Sequence, residues 1–328
     1  MIPDNEEKPQ VDTEGNTPAI KTAGLVTRIK AGLVWVVLYL LSLLPWGASD
    51  GLGRLVGRMN YRFNTRACKV TRVNLGLCLP ELDEAEREKM ALESLQQSAI
   101  TVFETPKVWL NAWQKTLKKI HCAEGEELLK EAMAGDDGLI MLLPHLSNWE
   151  IYNVYMRSQG GMTALYLPPE KTYLARVMES VRGLYGNEMV PANRTGVARL
   201  YKRLQEGRVI CILPDQVPAS GDYIPFFGVE ALTDSLVYRL LKKTGARVLS
   251  FHVIRRQRPF GFDVYIREVP ASLHSTDRTT SMTTLNQVME QCARTNLAQY
   301  QWDYKRFRER PAGEKKVYRF IEPDTFHS

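Results

Sequence analysis

Several familiar signatures are missing from this chain, and each absence narrows what it can be. Neither G-x-G-x-x-G nor G-x-x-x-x-G-K-[ST] occurs, so the usual glycine loops for nucleotide phosphates are excluded. No G-x-S-x-G stands at the end of an expected strand, which disfavours a serine hydrolase. The five cysteines (Cys68, Cys78, Cys122, Cys211, Cys292) are odd in number and show no C-x-x-C spacing. They read as reduced thiols of a cytosolic domain, not as a zinc site or a disulfide framework. His121, His145, His252, His274 and His327 show no paired spacing, and no metal or other cofactor is expected. No helix-turn-helix, RNA-recognition or zinc-finger pattern is visible, so nucleic acid is not expected as a partner.

What is present suits a large enzyme domain. The 328 residues are 44% hydrophobic and 24% charged, enough apolar material for one α/β unit with a full core. The net charge of +6 favours acidic partners: anionic lipid, nucleic acid or an acidic carrier protein. Residues 1–20 are polar, acidic on balance and without apolar rhythm, which predicts a disordered tail. Lys21, Arg28 and Lys30 then precede the apolar run Ala31–Ala48, with Trp35, Tyr39 and Trp46 placed to meet a headgroup layer. Residues 21–50 are therefore expected to be a membrane-anchor helix. A signal peptide is one competing reading, and a buried helix is another, because Ser42 and Pro45 interrupt the run. In Gly51–Asn64, Leu52, Leu55, Val56 and Met59 alternate with Arg54, Arg58 and Arg62. That is either an amphipathic basic helix at a membrane surface or an ordinary helix with a solvated basic face.

Residues 51–328 form the expected folded domain. Arg72–Pro80 leads into an acidic segment, and a long helix is expected from about Asp83 to Leu110 with a break or kink at Pro106. Beyond residue 120, strands and helices alternate. Gly138–Pro144, Ala164–Leu167, Arg208–Leu213, Arg247–Ile254 and Phe262–Glu268 read as strands. Helices are expected over Trp149–Ser158, Leu174–Tyr185, Gly196–Gln205, Thr233–Thr244 and Ser281–Asn296. The pattern predicts an α/β fold with a mostly parallel central sheet flanked by helices, plus the N-terminal anchor helix.

The sharpest chemical feature is Pro144-His145-Leu146-Ser147-Asn148-Trp149-Glu150. His145 follows a buried strand, where ligands gather in open α/β sheets. If the chain folds back, the Glu150 carboxylate can hold one imidazole nitrogen and leave the other free as a base, a dyad suited to taking a proton from an alcohol. The alternative is a structural histidine paired with a nearby acid. Asp215 and Gln216 close another strand and are candidates for binding substrate hydroxyls or cations, or for capping a turn. Ile224–Gly228 (IPFFG) reads as an apolar turn that lines an acyl pocket or simply packs in the core. Tyr300–Pro311 mixes aromatics with Lys305, Arg306, Arg308 and Arg310, which suits a phosphorylated headgroup or a solvated face.

Taken in order, these segments resemble the lipid A biosynthesis acyltransferase family, the late acyltransferases of Gram-negative inner membranes. The resemblance runs over roughly residues 30–312. It rests on Arg72–Pro80, the H-x-x-x-x-E of His145 and Glu150, Arg182, Asn193-Arg194-Thr195-Gly196, Leu213–Gln216, Ile224–Gly228 and the ending around Trp302–Pro311. The chain departs from it at Leu232–Ser235, where the family has a run of small residues. The resemblance implies an acyl-acyl-carrier-protein donor and, as acceptor, a hydroxyl of a Kdo-bearing lipid A precursor. It implies catalysis by His145 and Glu150, with Arg182, Arg194 and Arg306 as phosphate contacts and Asp215 and Gln216 as further substrate contacts. The enzyme would sit at the inner membrane, single-pass or peripheral, with its catalytic domain facing the cytoplasm. Another lipid acceptor (a lysophospholipid, glycolipid or aminolipid) and a non-catalytic lipid-binding protein are the alternatives.

Overall fold

The computed structural model describes residues 25–167, 171, 173–175, 177–178 and 186–319. The expected tail 1–20, Arg182 and most of the helix expected over Leu174–Tyr185 lie outside them.

The apolar N-terminal run does not form one helix. Helix α1 covers Leu25–Leu43, and Pro45 then stands as the N-cap of α2, Trp46–Arg62. A proline lacks the amide that continues a helix, but its fixed φ suits a helix start. Within α1, the 18-residue window Val26–Leu43 has a mean hydropathy of 1.6, long and apolar enough to cross a membrane. Only 6% of that window is buried, so α1 is not a core helix and stands as a candidate anchor.

Helix α2 docks on α4, Glu84–Leu110, through Gly53 and Gly57. A Cβ at these positions would lie 2.5 Å from Cα of Ile100 and 2.4 Å from Cα of Gln96, so only glycine permits so close an approach. The opposite face of α2 leaves Leu52, Leu55 and Met59 exposed, with Phe63 just beyond it. In chain order α3, Arg66–Cys78, connects α2 to α4. Helix α4 starts in a capping box: Asp83 accepts from the Glu86 amide while Glu86 accepts from the Asp83 amide. It continues through Pro106 without the expected break. Proline deprives the Val102 carbonyl of its helical donor, and Val102 lies on the exposed side of the helix.

Among the described residues the main sheet has seven strands, in the order β1-β9-β8-β2-β5-β3-β4. They are β1 (Ile120–Glu124), β2 (Leu139–Leu142), β3 (Thr163–Tyr166), β4 (Glu188–Pro191), β5 (Val209–Ile212), β8 (Arg247–Gln257) and β9 (Phe260–Glu268). All adjacent pairs are parallel except β8 with β9, whose two-residue connection is far too short for a crossover. Further helices among the described residues are α5 (Trp113–Leu117), α6 (Glu126–Ala134), α7 (Ile151–Ser158), α8 (Arg194–Gln205), α9 (Leu236–Thr244) and α10 (Arg278–Thr295). Alternate residues of β2 feed two cores. Leu139 and Met141 pack with Tyr152, Met156 and Phe251, whereas Ile140 and Leu142 pack with Leu200, Leu240 and Met289. Strands covered on both faces in this way are continuously apolar, as the expected strands were.

Ile224–Gly228 is not simply a turn. It spans most of β6 (Asp222–Phe226) and the two-residue turn into β7 (Val229–Thr233), an antiparallel pair separate from the main sheet. Phe227 and Gly228 both have positive φ, 49° and 75°, as a tight hairpin requires. Phe226 and Phe227 are buried in the core.

Candidate active site

His145 stands three residues past the end of β2, and Asp215 stands three residues past the end of its neighbour β5. Imidazole Nδ1 lies 2.6 Å from Asp215 Oδ1, and the His145 backbone amide donates to Oδ2 at 2.7 Å. The phenol of Tyr300 also donates to Oδ2, at 3.2 Å. Asp215 is 2% exposed and the His145 side chain 13% exposed, so the carboxylate is sealed while the imidazole reaches the surface. Burial by itself would raise the Asp215 carboxyl. The opposing pull of His145, through charge and both hydrogen bonds, and of Arg306 prevails, and the group is held below its ordinary value. The same burial and the Asp215 charge push the Tyr300 phenol well above its ordinary value, so it stays a donor.

This arrangement corrects the expected His145–Glu150 contact. The residue after Leu146 turns left-handed, with φ of 56° at Ser147, a conformation that costs a non-glycine residue roughly 1–2 kcal/mol. Glu150 then becomes the N-cap residue of α7, and its carboxylate accepts from the Trp109 indole of α4 and from Asn153, each at 3.0 Å. The carboxylate on the imidazole is that of Asp215. Asp215 is therefore committed to His145, not open to substrate. The Trp149 ring packs edge-on to the imidazole at 5.0 Å.

The other expected contacts divide. Arg194 is exposed at the first position of α8, just past β4 and thus at the same carboxyl edge of the sheet. Gln216 donates to Gln301 at 3.2 Å and helps to line a small cavity with His145, Asn74, Tyr300 and Arg306. Arg306 is not an open phosphate ligand. It is 4% exposed, donates to the Leu232 carbonyl at 2.6 Å and to Thr233 Oγ1 at 3.1 Å, and sits over the Phe226 ring. Burial pushes its guanidinium below its ordinary value. The basic–aromatic ending of the chain is thus largely structural: Tyr300, Trp302 and Phe307 are buried, and Gln301 donates its amide to the His145 carbonyl at 3.1 Å. Asn74 of α3 ties this segment down by donating to the carbonyls of Trp302 and Tyr304.

One sequence signal for the His145–Asp215 pair was available. The two strands end alike, in Leu143-Pro144-His145 and Leu213-Pro214-Asp215. No such signal marks the support from α4. There Arg255 of β8, 5% exposed, forms a buried ion pair with Glu104 and also donates to Gln97 and Thr101. Lys107, one helical turn beyond Glu104, donates to Ser49 Oγ and the Leu41 carbonyl; burial lowers its ammonium to about 8. Among the described residues, no three His, Cys, Asp or Glu side chains gather as a metal site.

Known proteins match over most of this architecture. The family described as bacterial lipid A biosynthesis acyltransferase matches residues 19–309. The lipid A biosynthesis lauroyltransferase of Escherichia coli is 27% identical over 312 residues, covering 92% of this chain and 99% of that protein. The palmitoleoyltransferase of the same organism is 27% identical over 286 residues, covering 86% and 92%. A phosphatidylinositol mannoside acyltransferase of Mycobacterium tuberculosis is 27% identical over 182 residues, covering 53% and 56%. With a match spanning nearly the whole folded domain and the histidine–carboxylate pair at the sheet edge, the chain belongs to the bacterial lipid A biosynthesis acyltransferases.

Proposed function

We propose that the protein transfers a fatty acyl chain from an acyl-carrier-protein thioester to a hydroxyl of a lipid A precursor, with His145 as the base. The observation that carries this reading is the 2.6 Å contact between His145 Nδ1 and Asp215. In a neutral imidazole whose Nδ1–H is donated to the carboxylate, Nε2 carries the free lone pair. Nε2 removes the acceptor hydroxyl proton as the oxygen bonds to the thioester carbonyl carbon. Collapse of the tetrahedral intermediate breaks the C–S bond, and the imidazolium returns the proton to the departing sulfur. Asp215 stabilises the imidazolium between these steps. Glu150, fixed by Trp109 and Asn153, supplies a second negative charge near the motif. A general base of this kind contributes about 10²–10⁴-fold. Arg194 and Arg182 are assigned to phosphates of the acceptor or of the donor's pantetheine arm, and the net charge of +6 suits an acidic carrier protein and anionic lipid.

Helix α1 is assigned as the inner-membrane anchor, with the exposed face of α2 resting on the cytoplasmic leaflet. The test is mass spectrometry of lipid A from cells with and without the gene. Loss of one secondary acyl chain is the expected result. Unchanged lipid A with a phospholipid or glycolipid short of an acyl chain points instead to another lipid acceptor. The resemblance to the phosphatidylinositol mannoside acyltransferase keeps that second reading in view.

A further inference from the structure

The turn that carries His145 is clamped from behind. The Ser147 amide donates to the Gln299 carbonyl at 2.8 Å, and the Ser147 carbonyl accepts from Thr101 Oγ1 at 3.1 Å. Both holders lead to one residue, Arg255. Arg255 Nη2 donates to Thr101 Oγ1 at 2.7 Å, while the Gln299 side chain bridges the Arg255 backbone, accepting from its amide at 2.8 Å and donating to its carbonyl at 3.1 Å. A guanidinium only donates, so the Thr101 hydroxyl accepts there and must spend its single proton elsewhere. The acceptors within reach are the Gln97 carbonyl, one turn back on α4 at 3.2 Å, and the Ser147 carbonyl. Glu104 and Gln97 take the other Arg255 donors, at 2.8 Å each. Every member is buried, where such a network is stiff and an unmade bond is costly.

A left-handed serine does not hold its conformation unaided, and His145 lies two residues before it. We propose that Thr101 is a positioning residue: oriented by the Arg255–Glu104 pair, its hydroxyl fixes the Ser147 peptide and thereby aims the imidazole for proton transfer. Helix α4, which packs against α1 and α2, thereby also sets the geometry of the base. This rests on the reading of His145 as the base.

The experiment compares Thr101→Val, Thr101→Ala and Thr101→Ser in full-length enzyme in detergent, with His145→Ala alongside. Valine keeps the volume and loses the hydroxyl; serine keeps the hydroxyl and loses the methyl. Misplacing a catalytic group by about 1 Å costs on the order of 10²-fold. Valine and alanine should therefore lower kcat by roughly 10–10²-fold with KM for both substrates unchanged, and serine should restore most of it. If valine buries an unpaired Arg255 donor and fails to fold, the alanine–serine pair carries the comparison, since both leave space. Equal kcat for alanine and serine, or a loss that appears only in the melting temperature, overturns the positioning role. Full turnover by His145→Ala would instead overturn the reading of the base itself, which separates the two failures.

Discussion

His145 and Asp215 occupy the same step beyond two paired strands. Leu142 lies opposite Ile212 in the β2–β5 register, each strand continues through Leu-Pro, and the next residue is the histidine on one and the aspartate on the other. Parallel strands in register place equivalent residues side by side, so two short loops from different parts of the chain meet at 2.6 Å. Their prolines restrict the approach from both sides.

The geometry ranks the two acidic residues near His145. His145→Ala should lower kcat by about 10²–10⁴-fold with little change in KM. Asp215→Asn should lose on a similar scale, because an amide can stabilise the wrong tautomer and cannot balance the imidazolium. The double variant should be little worse than His145→Ala, since the two act as one unit. Glu150→Gln should lose less than Asp215→Asn, because the Glu150 carboxylate is hydrogen-bonded to Trp109 and Asn153. Steady-state kinetics on folded proteins, checked by circular dichroism, decide the order. A Glu150 effect exceeding that of Asp215 would return Glu150 to the role the sequence suggested.

Asp215 also ties stability to pH. Its folded-state carboxyl is held below the ordinary value, so the folded protein binds fewer protons than the unfolded chain as acid is added. Its contribution is therefore fully present above the unfolded carboxylate range near 4 and is lost as pH falls through the lower folded value. The gap in melting temperature between wild type and Asp215→Asn should be widest from about pH 5 upward and should narrow towards pH 3. A gap that widens between pH 5 and pH 3 contradicts the lowered Asp215 carboxyl.

Much of this was legible in the sequence. The buried strands announce themselves as apolar runs such as Leu139–Leu142 and Val209–Ile212, and His145 and Asp215 both fall at strand ends. What could not be read was the lateral order of the sheet. Without knowing that β5 lies beside β2, the matching Leu-Pro endings do not by themselves rank Asp215 above Glu150, which is nearer in sequence. Short strands such as β1 and β4 carry mixed burial and gave no apolar run. The same limit applies to Arg306. A basic residue among aromatics looks like a surface contact until the β6–β7 pair folds over it and supplies a carbonyl and a hydroxyl.

Arg306 should accordingly behave as a structural residue. Arg306→Met keeps a long apolar side chain over Phe226 but leaves the buried Leu232 carbonyl unpaired. An unmade buried hydrogen bond costs about 1–3 kcal/mol. Denaturant unfolding should show a loss of that size, whereas KM for the lipid acceptor in the remaining folded enzyme should hardly change. A raised acceptor KM at unchanged stability would restore the phosphate-binding role.

The proposed membrane attachment has two separable parts, because Pro45 divides the N-terminal helices. A cut near Gly51 would remove the first turn of α2, including Ser49, which receives the Lys107 ammonium in the core. The informative truncation starts at Pro45 and keeps α2 docked on α4 through Gly53 and Gly57. Full-length protein should stay with membranes through carbonate extraction, because α1 is exposed along its apolar length. The shortened chain should be released by carbonate yet still bind vesicles containing anionic lipid at low salt. Leu52, Leu55, Met59 and Phe63 then enter the headgroup layer, with exposed Arg58 and Arg62 beside them. Each large apolar side chain withdrawn from water contributes on the order of 1.5–3 kcal/mol, while the arginine contribution is screened by salt. Leu55→Glu with Phe63→Glu in the shortened chain should abolish vesicle binding without lowering the melting temperature, since neither side chain is in the core. Carbonate release of the full-length protein would remove α1 as the anchor, and unchanged binding by the double variant would remove the α2 face.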